Sequence, residues 1–190
     1  MMEGRKKEKR MAILKAAASV FSREGYEKSR MDDIASTAGV GKGTIYQYFN
    51  GKEQLFQEMI KEGFDAFTEK LEQEIQVSGN DVKVFKKIID FSFQFMEMNK
   101  DIAKLIIRIP VTMDYQTVEW VHIKKHQIIK LLADLVRQYG SSEVDPLVAA
   151  HGFLGMIVSL VAENVFLQKK YELDAISEKM FYIYANGILP

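Results

Sequence analysis

Proline is missing from the first 109 residues of this 190-residue chain, from Met1 to Ile109. The whole sequence contains only 3 prolines and 12 glycines. Sheets of many short strands need many turns, and turns draw heavily on these two residue types. Their scarcity therefore predicts a mostly helical protein. Cysteine is absent, which excludes disulfides, thiolate metal sites and cysteine nucleophiles and is compatible with a reducing compartment.

The spacing of apolar residues and of end signals predicts where the helices lie. Ser29 and Asp32 have the form of a capping box for the second helix, and Gly39 ends that helix. Asp145, followed by proline, begins the penultimate helix, and Asp174 caps the last one. The predicted helices span residues 7–23, 30–38, 42–49, 52–77, 80–98, 101–109, 115–139, 145–170 and 174–187.

The charges are unevenly distributed although the formal net charge is 0. Residues 1–52 contain 11 Lys or Arg and 6 Asp or Glu, whereas residues 53–190 contain 15 and 20. A basic part of this kind suits a polyanionic partner. A solvated basic end without any partner is the alternative on charge alone.

One apolar segment, residues 147–167, has about the length that a membrane span requires. It contains His151, Glu163 and Asn164, and no second hydrophobic span accompanies it. Because a carboxylate is costly in lipid, a helix buried in a protein interface is favoured. Lys15 interrupts the apolar stretch near the start, which has no cleavage site of a secretory signal. These features predict a cytoplasmic protein without a membrane partner.

Residues 31–49, MDDIASTAGVGKGTIYQYF, have the pattern of a helix-turn-helix. Ala35 supplies the small side chain that two steeply crossing helices need, and Gly39 accepts the positive φ of a tight turn. The outer face of the second helix is then free to enter a major groove of DNA. The apolar positions that bury the inner faces are Ile34, Ala38, Val40 and Ile45.

Eight residues on or beside this second helix are the predicted DNA contacts. Thr44 and Gln47 are the candidates for base edges, since glutamine can bind adenine through two hydrogen bonds. Tyr46 and Tyr48 carry hydroxyls suited to phosphate oxygens, and Gly43 allows the backbone to come close. The full set is Arg30, Lys42, Gly43, Thr44, Tyr46, Gln47, Tyr48 and Lys52.

Residues 13–60 resemble the N-terminal DNA-binding domain of the TetR/AcrR family of transcriptional regulators. The resemblance rests on an alanine-rich first helix ending in Phe, on Gly-Tyr, Asp-Ile-Ala and Ala-Gly-Val, and on Lys-Gly-Thr-Ile-Tyr-x-Tyr-Phe followed by Lys-Glu-x-Leu. Gly41 and Gly51 depart from the family, which most often has serine there. Their lack of a side chain removes a capping hydrogen bond from the third and fourth helices.

The resemblance implies an all-α protein of about nine helices. Residues 1–52 would form a three-helix helix-turn-helix DNA-binding domain, and residues 53–190 a larger helical effector-binding and dimerisation domain. A homodimer paired through its last two long helices would bind a palindromic operator in double-stranded DNA. We expect a hydrophobic or amphipathic effector among the middle helices, with core packing as the alternative role of each candidate. The candidates are Phe64, Phe67, Phe91, Phe95, Met98, Ile106, Trp120, His122 and Phe153.

The predicted function is a ligand-responsive transcriptional regulator, most often a repressor in this family, that the effector releases from DNA. A helical DNA-binding protein without effector control is an alternative, and so is a helical enzyme or carrier that keeps the N-terminal domain. No Gly-x-Ser-x-Gly or His-Glu-x-x-His element indicates an enzyme. His122 and His126 have a spacing that can bind metal but no obvious third ligand, so neither a metal nor a cofactor is predicted.

Overall fold

The computed structural model describes residues 2–78, 82–107, 115–167 and 172–188. These ranges contain no strand, which confirms the all-α prediction. The helices within them are α1 (Met2–Glu24), α2 (Met31–Thr37), α3 (Lys42–Tyr48), α4 (Lys52–Ser78), α5 (Val84–Met98), α6 (Lys100–Ile107), α7 (Tyr115–Tyr139), α8 (Pro146–Leu167) and α9 (Leu173–Ile188).

Most helix ends lie close to their predicted positions, and the largest observed difference is at the beginning of the chain. α1 begins at Met2 rather than near Lys7, because lysine, arginine and glutamate are good helix formers and extend the helix outward. The predicted start of α5 with a cap at residue 80 or 81 is wrong, because residues 82 and 83 form a turn and Lys83 is the N-cap residue of a helix that begins at Val84. The predicted ends of the sixth and eighth helices, at residues 109 and 170, lie outside the described residues.

The start of α8 follows the capping rule that the sequence suggested. Oδ1 of Asp145 accepts hydrogen bonds from the backbone N–H groups of Leu147 and Val148, both at 2.9 Å. Pro146 occupies the first helical position, where its missing N–H does no harm. The predicted start of this helix is therefore confirmed.

The predicted capping box at Ser29 is wrong. Arg30 is the N-cap residue of α2, and its side chain makes no capping hydrogen bond. The hydroxyl of Ser29 is buried and donates instead to the carbonyl oxygen of Gly25 at 2.6 Å. Ser29 therefore stabilises the loop before α2, which a local sequence pattern does not distinguish from a cap.

The helices pack into two compact units. Unit 1 comprises residues 1–65 and 101–112, and unit 2 comprises residues 66–100 and 113–190. α4 thus contributes its beginning to unit 1 and its end to unit 2. The predicted division between residues 52 and 53 concerns function rather than packing, and it stays a prediction.

The core of unit 1 holds apolar side chains from α1, α2, α3 and α4. Phe21 packs edge-on against Phe56 with 5.2 Å between ring centroids, and Tyr26 contacts both rings. α4 and α6 approach each other closely at Gly63, where an added Cβ would lie 2.7 Å from Cγ2 of Ile102. Position 63 therefore requires glycine for this packing.

Unit 2 is held by an aromatic cluster and a polar cluster that both join α5 to α9. In the aromatic cluster, Phe153 and Tyr184 lie 4.5 Å apart between centroids, and Phe85 contacts both. The hydroxyl of Tyr184 is buried and has no hydrogen-bond partner among the described residues. Burial raises the pKa of Tyr184 above its ordinary value of 10.0, because the charged form is poorly solvated there.

The polar cluster lies at the same helix pair. Nζ of Lys86 contacts both carboxylate oxygens of Asp90 at 2.8 and 2.9 Å. The hydroxyl of Ser177 donates to Oδ1 of Asp90, and Oε1 of Glu178 lies 3.4 Å from Nζ of Lys86. Burial lowers the pKa of Lys86, but the hydrogen bonds and charges of Asp90 and Glu178 outweigh it and raise that pKa.

Candidate nucleic-acid interface

The helix-turn-helix predicted for residues 31–49 is present as α2, a tight turn and α3. Gly39 has a φ of +66°, a left-handed conformation that glycine adopts at low cost. The N–H of Val40 donates to the carbonyl oxygen of Ala35 at 3.0 Å, which closes the turn. The inner faces meet through buried Ile34 and Ile45. The packing that orients α3 is therefore the one the spacing predicted.

α3 keeps a polar outer face in solvent. Tyr46 is 45% exposed, and Gln47 is exposed beside it. Thr44 and Tyr48 are half-buried, and Phe49, at the end of the helix, is completely buried. Neither Thr44 nor Gln47 is hidden beneath another helix, so both side chains can reach a ligand from this face. Their roles as base readers stay predictions.

The first turn of α3 also faces solvent. Gly41 is the N-cap residue, and no side chain caps the helix. The first backbone N–H groups of a helix lack partners within it and suit an oxyanion. Lys42 and Gly43 are exposed in this turn, as contact with a phosphate group would require.

Lys42 has a carboxylate partner in the free protein. Its Nζ lies 2.9 Å from Oδ2 of Asp32, so the pair joins α3 to α2. The hydrogen bond and charge of Asp32 raise the pKa of Lys42. Both side chains are exposed, so the pair contributes little stability. A phosphate oxygen could replace the carboxylate at small cost.

Lys52 makes contacts within the protein that the sequence did not indicate. Its Nζ donates to the carbonyl oxygens of Tyr26, Glu27 and Ser29 at 2.8, 3.1 and 3.3 Å. The same ammonium lies 4.5 Å from the centroid of the Tyr26 ring. Lys52 therefore holds the loop between α1 and α2 against the start of α4. Its predicted contact with DNA stays a prediction, as does that of Arg30, which is exposed.

Arg10 is a second residue whose position sequence reasoning missed. Its guanidinium contacts carboxylate oxygens of Glu58 at 2.7 Å and Glu62 at 3.0 Å, both on α4. It also lies 5.9 Å from the centroid of the Phe49 ring at the end of α3. The hydrogen bond to Glu58 is the largest of the effects that raise the pKa of Arg10. Arg10 thus joins α1, α3 and α4 in unit 1.

The predicted effector-binding residues are divided between the two units. Phe64 and Ile106 belong to unit 1, and the other seven belong to unit 2. Within unit 2, the rings of Phe67, Phe91 and Phe95 form one cluster with centroids 5.3 to 5.7 Å apart. Phe67 and Phe95 are buried and Phe91 is half-buried, so these rings pack against one another inside unit 2.

The remaining candidates of unit 2 occupy different surroundings. Met98 is 71% exposed and His122 is exposed, while Phe153 is completely buried in the aromatic cluster described above. Trp120 is half-buried, with Nζ of Lys124 at 5.4 Å from its ring. Effector binding by all nine residues stays a prediction. No group of three or more His, Cys, Asp or Glu side chains in the described ranges could hold a metal ion.

α8 leaves much of its apolar surface uncovered by its own chain. By length and composition it is the one described helix that could span a membrane, yet only 28% of its most apolar stretch is buried. Val148 and Val158 are exposed on α8, and Tyr182 and Ile183 are exposed on α9. Exposed apolar side chains on two helices of one unit suit an interaction site.

Comparison with known proteins gives three consistent findings. Residues 13–59 match the family model described as bacterial regulatory proteins, tetR family. A fatty acid metabolism regulator protein of Bacillus subtilis is 28% identical over 192 aligned positions, covering 96% of this chain and 97% of that protein. The uncharacterized HTH-type transcriptional regulator YfiR of Bacillus subtilis is 31% identical over 130 residues, covering 68% of this chain and 60% of its own length.

The fold is shared with a solved regulator. The crystal structure of the transcriptional regulator FadR from Bacillus subtilis, in complex with stearoyl-CoA, superposes with a TM-score of 0.80. The alignment covers 94% of this chain and 98% of that one, at 24% sequence identity. At this identity the likeness concerns the fold.

Proposed function

Because the chain belongs to the TetR family of bacterial regulatory proteins, we propose that it is a repressor that a fatty acyl-coenzyme A releases from a palindromic operator. Transcriptional regulators of this family bind DNA and are not enzymes. The repressing role, the operator symmetry and the acyl thioester are the parts that we propose. A cytoplasmic location follows from the same proposal, since the promoter and coenzyme A thioesters meet there.

The observation that carries the proposal is the division of α3 into a buried and an exposed side. Ile45 and Phe49 are completely buried, so α3 is held rigidly against unit 1. Gln47 and Tyr46 face solvent, as the outer face of a helix that enters a major groove must. Rigid support and a free polar face are what specific base contacts require.

The homodimer is supported by the exposed apolar surface of α8 and α9. One short helix in the major groove reads few base pairs, whereas two related by symmetry read half-sites about 34 Å apart. Two copies paired through Val158 and Ile183, both exposed in the single chain, would remove this apolar surface from water. An interface of the same surface patches has the two-fold symmetry that a palindrome requires.

The acyl-coenzyme A effector is supported by the relatives and by the composition of unit 2. The structurally similar FadR contains stearoyl-CoA, and the relative aligned over nearly the whole chain is a fatty acid metabolism regulator. In this chain, Phe67, Phe91 and Phe95 form an aromatic cluster that would suit an acyl chain. Effector binding that favours one spacing of the two α3 helices would weaken DNA binding by linkage.

Selection of duplexes from a random pool by the purified protein tests the DNA-binding part. We expect one palindrome to be enriched and to bind at least about 10³ times more tightly than mixed-sequence DNA. Affinity for both should fall steeply with salt concentration. Enrichment of no sequence would contradict a specific regulator and favour an enzyme or carrier.

Base reading by α3 is tested on the same selected DNA. Thr44→Ala and Gln47→Ala should change the preference between related operators, by about 1–3 kcal/mol for a lost bidentate contact. Tyr46→Phe should weaken all of them alike, because a phosphate contact carries no sequence information. Equal losses on every sequence for all three variants would show that Thr44 and Gln47 do not read bases.

Titration of the protein–operator complex with stearoyl-CoA tests the effector part. We expect release of DNA, with coenzyme A alone and stearate alone as controls for the two halves of the ligand. Full operator binding at saturating concentrations of all three compounds would contradict the acyl-coenzyme A assignment. Release of DNA by a different hydrophobic compound would support effector control but assign it to another class of ligand.

A further inference from the structure

The first two turns of α1 form a basic arm, which we define as residues 3–9. α1 begins at Met2, yet every residue of the arm is exposed, and the first partly covered residue is Arg10. The arm contains four cations, Arg5, Lys6, Lys7 and Lys9, against two carboxylates. It is therefore a positively charged helix that extends beyond the packed part of unit 1.

The face of α1 that is apolar and buried farther along the helix becomes charged toward the arm. Ile13 and Ala17 belong to the buried stripe of α1. The residues seven positions earlier, on the same face of the helix, are Lys6 and Arg10. A face that continues from alkyl to ammonium and guanidinium groups is suited to an anionic partner outside the core, because burying unpaired charges in a core is costly.

Cations without a partner are concentrated in this arm. Elsewhere in residues 1–52, Arg10, Arg23 and Lys42 form ion pairs and Lys52 binds backbone carbonyl oxygens. Within residues 2–52, seven Lys or Arg side chains make no ion pair or hydrogen bond with described residues, and four of the seven lie in the arm. These seven are Arg5, Lys6, Lys7, Lys9, Lys15, Lys28 and Arg30.

The attachment point of the arm lies beside the end of α3. Arg10 follows the arm directly, and its guanidinium lies 5.9 Å from the ring of Phe49, the C-cap residue of α3. With a rise of about 1.5 Å per residue, Arg5 lies about 7 Å farther along the α1 axis. The arm therefore leaves unit 1 next to the buried end of α3, in the same packing unit as the helix-turn-helix.

We propose that the basic arm binds the phosphate backbone of duplex DNA next to the sequence that α3 reads. This inference rests on the proposed DNA-binding function and adds a second, sequence-independent contact to it. Its lysines and arginine neutralise phosphates and release counterions, so they raise affinity for every DNA sequence equally. The excess of acidic residues in positions 53–190 repels DNA, and the arm supplies an attraction that offsets this repulsion.

The test compares two triple variants of the full-length protein that remove equal charge. The arm variant carries Lys6→Gln, Lys7→Gln and Lys9→Gln, which retain side chains of good helix propensity. The control carries Lys87→Gln, Lys125→Gln and Lys130→Gln in unit 2. These three lysines have no ion pair or hydrogen bond in the described part of the chain. The probes are the selected duplex and a mixed-sequence duplex of about 40 base pairs, four helical turns.

We expect the arm variant to lose affinity by the same factor for both duplexes. Its plot of log binding constant against log salt concentration should flatten by about one to three units per arm, since each released phosphate contact contributes about 0.9. The control should keep the wild-type slope, because the proposal assigns the phosphate contacts to the arm in unit 1 and none to these three lysines. Circular dichroism should show equal melting temperatures for all three proteins.

Three outcomes separate this inference from the proposed function. If the arm variant keeps the wild-type salt slope on both duplexes, the arm does not bind the phosphate backbone, and the proposed regulator is unaffected. If the arm variant loses binding to phosphatidylglycerol vesicles but keeps the DNA salt slope, the proposed DNA contact is contradicted and the arm binds lipid instead. A flattened slope on mixed-sequence DNA, in a protein that enriches no operator, supports the arm and contradicts the regulator.

Discussion

α3 and α8 are opposite in the surfaces that they leave to solvent. α3 buries Ile45 and exposes Gln47, whereas α8 exposes Val148 and Val158 on a helix of mean hydropathy 1.6. A polar face on a rigid helix suits a hydrated partner such as DNA, and an apolar face suits a partner that excludes water. The comparison teaches that the chemistry left exposed after folding indicates the class of partner for each unit.

The largest effect is expected from a charge introduced into the exposed apolar surface of α8 and α9, a change that leaves α3 untouched. Val158→Glu and Ile183→Glu should each fold, because both positions are exposed in the single chain. An unpaired carboxylate in the proposed interface costs about 3–5 kcal/mol, so the dimer dissociation constant should rise by about two to four orders of magnitude. Sedimentation equilibrium measures this constant, and Gln127→Glu on α7 is the control.

Equal sedimentation of all these variants and the wild type would contradict pairing through α8 and α9. A wild-type protein that stays monomeric at working concentration would contradict the proposed homodimer, because the apolar surface would then have another partner. The measurement needs no DNA, so it tests the apolar surface independently of α3.

The second prediction contrasts the two sides of α3 itself. Ile45→Ala should lower the free energy of unfolding by about 3 kcal/mol, since the side chain is completely buried and leaves a cavity. Gln47→Ala should change it by less than about 0.5 kcal/mol, because the side chain is exposed. Urea denaturation measures both. Similar losses for the two variants would show that the outer face of α3 is packed rather than free.

The third prediction concerns Lys52, whose ammonium binds three carbonyl oxygens. Lys52→Met keeps the aliphatic stem and should cost about 1–2 kcal/mol of stability through the lost hydrogen bonds. If Lys52 also contacts phosphate, binding to all DNA sequences weakens and the salt slope flattens by up to about one unit. Lys28→Met is the control for a cation in the same loop.

The two roles of Lys52 give separate readouts in that experiment. A lower melting temperature with an unchanged salt slope restricts Lys52 to holding the loop. An unchanged melting temperature would contradict the contacts with Tyr26, Glu27 and Ser29 as a source of stability. Operator binding and thermal denaturation of the same preparations are sufficient to distinguish these cases.

The smallest expected effect tests the core of unit 2 through the buried hydroxyl of Tyr184. Tyr184→Phe removes a polar group without a partner and should raise stability near pH 7 by up to about 1 kcal/mol. Burial raises the pKa of Tyr184 above 10.0 in the folded chain, so the unfolded chain loses this proton first. The wild type should therefore lose stability relative to Tyr184→Phe as pH rises above about 10.

Chemical denaturation at about pH 8 and about pH 11 measures this difference. Tyr182→Phe on the same helix is the control, since Tyr182 is 69% exposed. Parallel curves for Tyr184→Phe and the wild type would contradict the buried, partnerless hydroxyl.

The helix-turn-helix could be predicted because its determinants are local. Gly39, Ala35 and Ile45 lie within a few residues of one another, and their spacing alone fixes the turn and the inner face. The contact of Arg10 with Glu58 joins residues 48 positions apart, and the contact of Lys52 with Tyr26 joins residues 26 positions apart. No local pattern indicates such pairs, because surface cations of the same type are usually solvated.

The candidate effector residues are less distinctive in the sequence than the outer face of α3, and the reason is chemical. Gln47 stands out from the sequence because a polar residue on a free helix face has few structural roles. Phe91 and Phe95 do not, since apolar side chains pack a core and line a pocket with the same composition and periodicity. Met98, 71% exposed, illustrates that helical spacing alone does not establish burial at a helix end.

The uncovered apolar side of α8 has a consequence for the amount of protein that a cell must maintain. A newly synthesised chain without a mate carries this surface in water, where chaperones and proteases act on it. In the proposed dimer, pairing depends on the product of two chain concentrations, so halving expression would lower occupancy of the proposed operator by more than half. Gene dosage would then be a steep control variable for the genes that such a dimer regulates.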